Sequence, residues 1–306
     1  MLIEALQKHS GLNRSQLIWF AQTAFKRYKV YTIPKRTGGT RRIEHPSREL
    51  KAVQRWINKF LFHSFSVHEN ATAYKKGASI LKNAERHVDS SFTLRLDFED
   101  FFPSFSKMSI SLFLENQNTI RELGLSKEDI AFVCNIATRH ESLTVGAPSS
   151  PVITNVMMYK FDEIISDLAR QNRLSYTRYA DDIFVSTKNP DSLKGIADKI
   201  ANISKNYEHV SLSINHGKTA YLSRRYNRSI TGLVITPDHK VSIGRARKRE
   251  IKSMVHNFMN GELDGESLSR LRGLVAFAMD AELTFFQSLK NKYGEAVLER
   301  VLGRIE

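Results

Sequence analysis

Two adjacent aspartates interrupt a segment that otherwise favours a β strand. In "YTRYADDIFVS" (176–186) most neighbours are aromatic or β-branched, which suits a pleated, half-buried surface from which aspartate is depleted. Two carboxylates held side by side repel each other and raise a pKa unless a positive charge lies between them. We therefore predict two short strands with a tight turn at "ADD", which presents Asp181 and Asp182 in one direction.

A third carboxylate could join this pair. Asp97 lies near the end of the alternating segment "FTLRLDF" (92–98), which predicts a strand. If the two strand regions are neighbours, Asp97, Asp181 and Asp182 converge on an all-oxygen site that suits Mg²⁺. Three carboxylates around two metal ions are typical of in-line phosphoryl displacement. The alternative is that Asp181 and Asp182 are ordinary turn residues, which would be preferred for an isolated pair.

The charge of the chain favours a polyanionic partner. Its 306 residues carry a formal net charge of +14, and residues 1–60 hold 13 Lys or Arg against 3 Asp or Glu. Such a block attracts nucleic acid, although a solvated basic face is the simpler alternative.

Cysteine content and hydropathy exclude several classes of protein. Cys134 is the sole cysteine, which excludes an intramolecular disulfide and a Cys-rich zinc site. The first residues lack the apolar core of a signal peptide, and no apolar run approaches the ~20 residues that span a bilayer. We expect a soluble, cytoplasmic protein with no membrane partner.

Helix and strand patterns are mixed along the chain without a regular βαβ repeat, which predicts an α+β fold. A helical pattern at 2–27 breaks near Gly11, and residues 28–46 resemble a hairpin around a Gly-Gly turn. A helix should follow, with Ser47 as N-cap and an end near Phe65.

The second half gives further helix and strand signals. "SSPVITNVMMYKFDEIISDLARQ" predicts one strong helix with Ser150 as cap and Pro151 in the first turn. Its apolar stripe would be Ile153, Met157, Phe161, Ile164 and Leu168. We expect another helix near 191–206, strands at 210–215, 219–223 and 229–235, and helices and turns after that.

Three segments occur in an informative order: "LRLDFEDFFPS", "GAPSSPVITN" and "YADDIFVS". They resemble the successive palm motifs of reverse transcriptases, and together they are far more specific than the Tyr-x-Asp-Asp signature alone. "YTIPKRTGGTRRIEHPSRELKAVQRWI" resembles the fingers hairpin and following helix of that family, and "LSINHGKTAYLS" resembles a later palm motif. The resemblance implies a right-hand polymerase with N-terminal helices and fingers at 1–90, palm at 91–235 and helical thumb at 236–306.

Within that superfamily the chain is similar to bacterial retron reverse transcriptases. The short length, "NAERH" (83–87) and a Thr-Gly pair near the thumb support this. Two positions depart from the pattern: Ile230 replaces the usual Val before Thr-Gly, and Val145 stands where many relatives carry a Gln that touches the nucleotide.

The retron resemblance implies an RNA-directed DNA polymerase that uses dNTPs to copy part of a structured non-coding RNA into single-stranded DNA. Synthesis would start from a guanosine 2′-hydroxyl and leave a branched RNA–DNA hybrid, in anti-phage defence with a separate effector protein. Alternatives are another bacterial reverse transcriptase, of the group II intron or diversity-generating type, and a non-catalytic RNA-binding scaffold. "NAERH" and the lack of a visible ribonuclease H, integrase or endonuclease extension disfavour the first, and the intact acids disfavour the second.

The resemblance also assigns the polymerase chemistry to individual residues. Two Mg²⁺ ions, with Mn²⁺ as a substitute, would be held by Asp97, Asp181, Asp182 and the backbone carbonyl of Phe98. Lys218 would be the general acid for the pyrophosphate leaving group, with a plain surface lysine as the alternative.

Nucleotide and RNA contacts are assigned in the same way. Phe102 matches the steric gate against a 2′-hydroxyl, with a core aromatic as the alternative, and Gly146 and Ala147 would let the backbone approach nucleotide or template. The triphosphate would meet the basic hairpin residues Lys35, Arg36, Arg41 and Arg42, with Arg41 as the main contact. Predicted RNA-binding residues are Asn83, His87, Thr231, Gly232, Arg245, Arg247 and Lys248.

Overall fold

Helices are the main elements of the chain. The computed structural model describes residues 1–35, 38–223 and 228–304. The helices are α1 (Leu2–Ser10), α2 (Arg14–Gln22), α3 (Arg48–Phe60), α4 (Ile80–Glu85), α5 (Lys107–Glu115), α6 (Asn118–Glu122), α7 (Lys127–Ala137), α8 (Ser150–Met157), α9 (Tyr159–Gln171), α10 (Ile196–Lys205), α11 (Arg245–Met259), α12 (Gly265–Ala281), α13 (Leu283–Tyr293) and α14 (Glu295–Leu302).

The strands form three small sheets. They are β1 (Tyr28–Pro34), β2 (Thr40–Pro46), β3 (Phe92–Asp97), β4 (Ser175–Tyr179), β5 (Asp182–Thr187), β6 (Ala220–Ser223), β7 (Ser229–Ile230), β8 (Leu233–Ile235) and β9 (Val241–Ser242). β1 and β2 form an antiparallel hairpin in which Tyr28 faces Pro46 and Pro34 faces Thr40. The other two sheets have the orders β4-β5-β3-β6 and β7-β8-β9.

The described chain separates into two compact units, each built from several stretches of sequence. The first contains Met1–Gly77, Leu94–Val185 and Asp191–Ala220. The second contains Ala78–Thr93, Ser186–Pro190 and the chain from Tyr221 onward. The division into fingers, palm and thumb at residues 90 and 235 stays a prediction.

The N-terminal elements follow the local sequence closely. Gly11 ends α1 in the left-handed conformation with φ 72°, which a residue without a Cβ adopts readily. The hairpin forms as predicted, and the Ser47 side chain accepts a hydrogen bond from the Leu50 N–H at 3.3 Å to cap α3. The helix ends at Phe60, five residues before the expected end, and a short 3₁₀ turn follows at Phe62–Ser64.

The long helix predicted after Pro148 is two helices, which corrects the expectation. Ser149, and not Ser150, occupies the N-cap position of α8, and it makes no side-chain capping bond. The chain leaves helical geometry at Met158, and this break shifts the helical phase. The buried face of α9 therefore includes Ile165, while Ile164 of the predicted stripe is 37% exposed.

Two strand predictions between residues 210 and 235 are also corrected. Residues 210–215 form no regular strand, although Ile214 makes an isolated antiparallel bridge with Phe98. The single strand expected at 229–235 is instead the hairpin of β7 and β8. Its two turn residues, Thr231 and Gly232, have φ 47° and 81°, the left-handed pair that a tight hairpin turn requires.

The core of the first unit lies between its central strands and α9. The leucines of β3 and the Ile-Phe-Val run of β5 are buried. Phe161 of α9 packs edge-on against Phe98, with ring centroids 6.0 Å apart. Each buried side chain of this kind contributes about 1.5–3 kcal/mol. This packing fixes the strand ends at which Asp97 and Asp182 lie.

Candidate active site

The paired aspartates lie at the predicted hairpin. β4 ends at Tyr179 and β5 begins at Asp182, so Ala180 and Asp181 alone form the turn. Ala180 has φ 58°, a left-handed conformation that is uncommon for a residue with a Cβ. The turn explains how two adjacent acids fit into a strand-forming segment, because only Asp182 belongs to a strand.

Asp97 is brought beside this turn, since β3 is the neighbour of β5 in the sheet. The Phe98 N–H donates to the Asp181 carbonyl at 3.1 Å, and the Asn215 N–H donates to the Asp97 carbonyl at 2.7 Å. Asp97 is 8% exposed. The expected proximity of the two strand ends is therefore confirmed.

Burial and the negative charges of neighbouring carboxylates raise the pKa values of Asp181 and Asp182. Burial, followed by the negative charges of Asp181 and Asp97, raises the pKa of Asp182 to about 7. Burial also raises the pKa of Asp181, against the positive charges of Lys218 and Arg41. Lys218 Nζ lies 2.7 Å from Asp97 Oδ1. A cluster of this kind gains from any cation that offsets the mutual repulsion.

Among the described residues, the acidic side chains are not already arranged as a metal cage. Within residues 1–35, 38–223 and 228–304, no group of three or more His, Cys, Asp or Glu side chains is arranged to hold a metal ion. Lys218 contacts an oxygen of Asp97, and the convergence of Asp97, Asp181 and Asp182 on one ligand set stays a prediction. The chemistry of the donors still fits a hard divalent cation, because they are carboxylate oxygens whose charges repel one another.

A cleft of about 1020 Å³ opens beside the turn. Its lining includes the predicted nucleotide-binding residues Lys35, Arg41, Arg42, Phe102, Gly146 and Ala147. It also includes Phe98, Asp181 and Lys218 of the predicted metal and catalytic set. Arg36 lies outside the described residues. Further lining residues were not expected from the motifs: Lys51, Arg55, Tyr74, Arg139 and His140. The acids thus lie beside a cleft with many positive charges, which suits a phosphate-bearing substrate.

The two neighbouring phenylalanines have different environments. Phe101 is 3% exposed and stacks on Phe98 with centroids 5.5 Å apart. Phe102 is only partly buried and lines the cleft. Phe101 therefore takes the core position, and Phe102 remains available for the predicted steric gate.

Gly146 has a packing role that the motif did not indicate. Its φ is 120°, and a Cβ added there would lie 2.9 Å from the Glu44 carbonyl oxygen of β2. The Glu44 N–H also donates to the Val145 carbonyl at 2.9 Å. The sequence suggested an approach of nucleotide or template to this loop, whereas the structure shows an approach of β2.

Glu44 is a functional candidate that sequence reasoning missed. Its carboxylate, 16% exposed, forms ion pairs with two arginines, with Arg42 Nε at 2.9 Å and Arg139 Nη1 at 3.0 Å from Oε1. Local periodicity could not reveal this contact, because Arg139 is far away in sequence.

A second cleft, of about 580 Å³, shares His45, Lys51 and Arg55 with the first. Its lining contains six basic side chains and no acid: Lys26, Arg27, Lys29, Arg48, Lys51 and Arg55. The basic block at residues 1–60 was the sequence signal for this surface.

Asn83 and His87, in the second unit, are both 0% exposed. The Nδ1 of His87 lies 2.6 Å from Ser186 Oγ. Burial, with the nearby charges of Arg228 and Arg86, lowers the pKa of His87 to about 3. The expectation that these two side chains contact RNA directly is corrected, because neither reaches the surface.

The remaining predicted RNA-binding residues have mixed environments. Thr231 Oγ1 donates to the Ile80 carbonyl at 3.2 Å, and Arg247 Nη1 donates to the Gly232 carbonyl at 3.3 Å. Lys248 Nζ lies 2.5 Å from Glu282 Oε1, so its charge is already paired. Arg245 is exposed. Of the three basic residues predicted for the thumb, Arg245 is the best placed to meet a phosphate backbone.

Similarity to known proteins identifies the family of the chain. Residues 33–252 match the family described as Reverse transcriptase (RNA-dependent DNA polymerase). Since the match covers most of the chain, the chain belongs to this family.

Relatives narrow the class to the retron reverse transcriptases. The chain is 37% identical over 287 residues to the Retron Ec83 reverse transcriptase of Escherichia coli, covering 90% of this chain and 89% of that protein. It is 32% identical over 304 residues to the Retron Ec86 reverse transcriptase of Escherichia coli, covering 96% and 91%. Among solved structures, apo telomerase from Candida tropicalis is similar with a TM-score of 0.46 and 16% identity, covering 89% of this chain and 58% of the telomerase chain.

Family membership confirms the predicted α+β class with the right-hand polymerase fold, and the enzyme is an RNA-directed DNA polymerase. The family's chemistry uses divalent metal ions. Among the described residues, no helix has the length and apolar character needed to cross a membrane.

Proposed function

We propose that the enzyme copies part of a structured partner RNA into single-stranded DNA, starting from a guanosine 2′-hydroxyl and leaving a 2′,5′-branched RNA–DNA hybrid. The main support for a polymerase centre here is that the Asp181 turn and the Lys218–Asp97 pair lie beside a basic cleft. The retron relatives and the "NAERH" segment support the branched product.

Asp97, Asp181, Asp182 and the Phe98 carbonyl would hold the divalent ions, Mg²⁺ by preference with Mn²⁺ as a substitute. Such ions supply an activated 3′- or 2′-hydroxyl and stabilise charge on the phosphoryl group. Lys218 would protonate the leaving pyrophosphate once its bond to Asp97 is exchanged.

The cleft residues would bind and select the nucleotide. Lys35, Arg41 and Arg42 would supply positive charge for the triphosphate. The charge of Arg41 also opposes the burial that raises the pKa of Asp181, so the two side chains are within electrostatic reach of each other. Phe102 would lie against the sugar and exclude a 2′-hydroxyl. Val145 replaces the Gln of many relatives, so selection here would rely on the remaining lining.

The second basic cleft would bind the RNA strand near the catalytic cleft. Its six cations can neutralise several phosphates, which gives salt-sensitive and sequence-tolerant binding. Recognition of the cognate RNA needs placed polar groups in addition. Arg245 would add a phosphate contact in the second unit.

The biological setting follows from the retron relationship alone. We place the enzyme in the cytoplasm, in anti-phage defence, with the branched hybrid and a separate effector protein as partners. Co-purification with its RNA in the presence and absence of neighbouring genes would test this part.

The catalytic assignment is tested by Asp181→Asn and Asp97→Asn, with the exposed Asp198→Asn as matched control. Primer extension on annealed RNA should fall by a factor on the order of 10³ in both site variants, since several kcal/mol of transition-state stabilisation is lost. The control should retain full rate, and all three should bind RNA. A near-normal rate for Asp181→Asn would refute the metal assignment.

The retron-specific part needs a different experiment. Nucleic acid that co-purifies with the enzyme should contain DNA joined to RNA through a 2′ linkage, and a debranching enzyme should separate the two. Recovery of linear primer-extension products alone would leave a polymerase but remove the 2′-primed reaction.

A further inference from the structure

Arg178 is fully buried in β4, two residues before the turn that carries Asp181. Its Nε and Nη2 donate to the two oxygens of Asp162 at 2.8 and 2.6 Å, a bidentate pair. Its Nη1 donates to the Ala180 carbonyl at 3.0 Å and to Asn155 Oδ1 at 3.2 Å. A buried charge is tolerated only when it is paired and hydrogen-bonded in this way.

The bond to the Ala180 carbonyl has a direct consequence for Asp181. A carbonyl and the N–H of the following residue lie in one rigid peptide plane. Fixing the Ala180 oxygen therefore fixes the orientation of the peptide plane that joins Ala180 to Asp181. Ala180 also has an unfavourable φ of 58°, and such a conformation persists when its surroundings determine it.

The same network holds a second residue of the cleft. Asn155 uses its other amide atom, Nδ2, to donate to the Ala73 carbonyl at 2.9 Å. By the same planar geometry this bond orients the peptide of Tyr74, which has φ 57° and lines the cleft with 52% of its surface exposed. Burial and the charge of Asp181 raise the pKa of Tyr74, so the two residues are within electrostatic reach of each other.

The backbone of Arg178 strengthens the link to this segment. Its N–H donates to the Asn70 carbonyl at 2.8 Å, and its carbonyl accepts from the Thr72 N–H at 2.7 Å. The whole arrangement is anchored on α9, because Asp162 belongs to that helix and is 0% exposed. Asp162 also accepts from the Tyr176 hydroxyl at 2.6 Å, a bond outside the path to the Ala180 and Ala73 carbonyls. A packed helix is a more rigid support than a loop.

We propose that Arg178, with Asp162 and Asn155, is a positioning group for the polymerase centre, which sets the peptides of Asp181 and Tyr74 at the cleft. It touches neither nucleotide nor metal. The inference rests on the proposed catalytic role of Asp181.

Arg178→Lys is the primary test. Lysine keeps the charge beside Asp162 but cannot reproduce a fork of directed N–H donors. The kcat for dNTP incorporation should fall about 10- to 100-fold, since a displacement on the order of 1 Å costs that much. The KM for dNTP should stay within about twofold, and the Mg²⁺ concentration for half-maximal rate should rise, with partial rescue at high Mg²⁺.

Tyr176→Phe is the matched control. It removes one hydrogen bond from Asp162 and leaves the Ala180 carbonyl bonded. It should lower the melting temperature by about 2–4 °C with kcat within twofold of the parent. If Arg178→Lys does not fold, Asn155→Ala takes its place, because it releases the Ala73 carbonyl while the bidentate Arg178–Asp162 pair remains. It too should lower kcat by more than the twofold limit set for Tyr176→Phe.

The outcomes separate this inference from the proposed function. An inactive Asp181→Asn with a folded Arg178→Lys of normal kcat and normal Mg²⁺ dependence would overturn the positioning role alone. An active Asp181→Asn would overturn the proposed function first. An equal loss of kcat in Tyr176→Phe and Arg178→Lys would show that the network only stabilises the fold and does not position Asp181.

Discussion

Lys218 and Asp97 form an ion pair in the candidate active site, with Nζ 2.7 Å from Oδ1 and side chains 50% and 11% exposed. The pair places a positive charge on a carboxylate that is proposed to hold a divalent ion. Partly exposed pairs of this kind contribute little to stability, so the lysine can exchange with another cation. It also places the proposed general acid at the reacting centre.

Lys218→Met should therefore have two effects. Loss of a general acid should lower kcat by about 10²-fold, and loss of a competing charge should lower the Mg²⁺ concentration for half-maximal rate. Steady-state incorporation measured across a Mg²⁺ titration separates the two. The exposed Lys199→Met should change neither. An unchanged kcat in Lys218→Met would make Lys218 a surface lysine.

Phe102→Ala should admit ribonucleotides, because the ring that lines the cleft would no longer exclude a 2′-hydroxyl. The ratio of kcat/KM for a dNTP over its rNTP should fall by about tenfold or more. Phe101→Leu, at the neighbouring core position, should lower stability and leave this ratio unchanged. An unaltered sugar preference in Phe102→Ala would exclude the gate assignment.

Gly146→Ala should destabilise the first unit by about 1–3 kcal/mol, because φ is 120° and the new Cβ would meet the Glu44 carbonyl oxygen at 2.9 Å. Gly273→Ala is a control that should change the free energy of unfolding in the opposite direction. Gly273 lies in α12 with nothing within 4 Å of an added Cβ, so alanine should stabilise by about 0.5–1 kcal/mol. Urea unfolding measures both, and a neutral Gly146→Ala would contradict the close packing against β2.

Val145→Gln should fold normally, because the side chain is partly exposed and lines the cleft. Its backbone bond to the Glu44 N–H does not depend on the side chain. The added amide should change the KM for dNTP while the melting temperature stays within about 2 °C of the parent. Loss of folding would show that Val145 is a core residue.

His87 should make the second unit sensitive to acid. Its pKa is about 3 in the folded protein against 6.5 for a free histidine. Between these values the unfolded chain binds a proton that the folded chain does not, so the free energy of unfolding falls as the pH falls. The loss from pH 7.5 to pH 5 should be about 2 kcal/mol.

His87→Gln should remove this part of the pH slope, whatever its effect on absolute stability. The exposed His63→Gln is the matched control and should leave the slope unchanged. Urea unfolding followed by a probe in the second unit, at pH 7.5, 6 and 5, measures the slope. Parallel slopes for the parent and His87→Gln would show that His87 is not buried in its neutral form.

Local patterns in the sequence predicted the parts of the site that depend on neighbours along the chain. The alternation of polar and apolar residues predicted β3, and the β-branched and aromatic residues beside the acids predicted β4 and β5. The tight turn between those two strands predicted the position of Asp181. The Ser47 cap and the glycine break after α1 were equally local. Resemblance to a family then gave the order of motifs, and with it the activity.

Tertiary structure decided which residues face each other across long stretches of sequence. Gly146 meets Glu44, Arg139 meets the same glutamate, and Arg178 holds Asp162 and Asn155; none of these contacts leaves a periodic pattern in the chain. Burial of Asn83 and His87 was hidden for the same reason, since polar residues in a short helix and in the turn after it suggest exposure until the packing around them is known. The sequence alone determined the local turns and predicted the candidate catalytic side chains, because both depend on adjacent residues. The fold alone determined what supports them, because burial and long-range hydrogen bonds exist only once distant segments pack together.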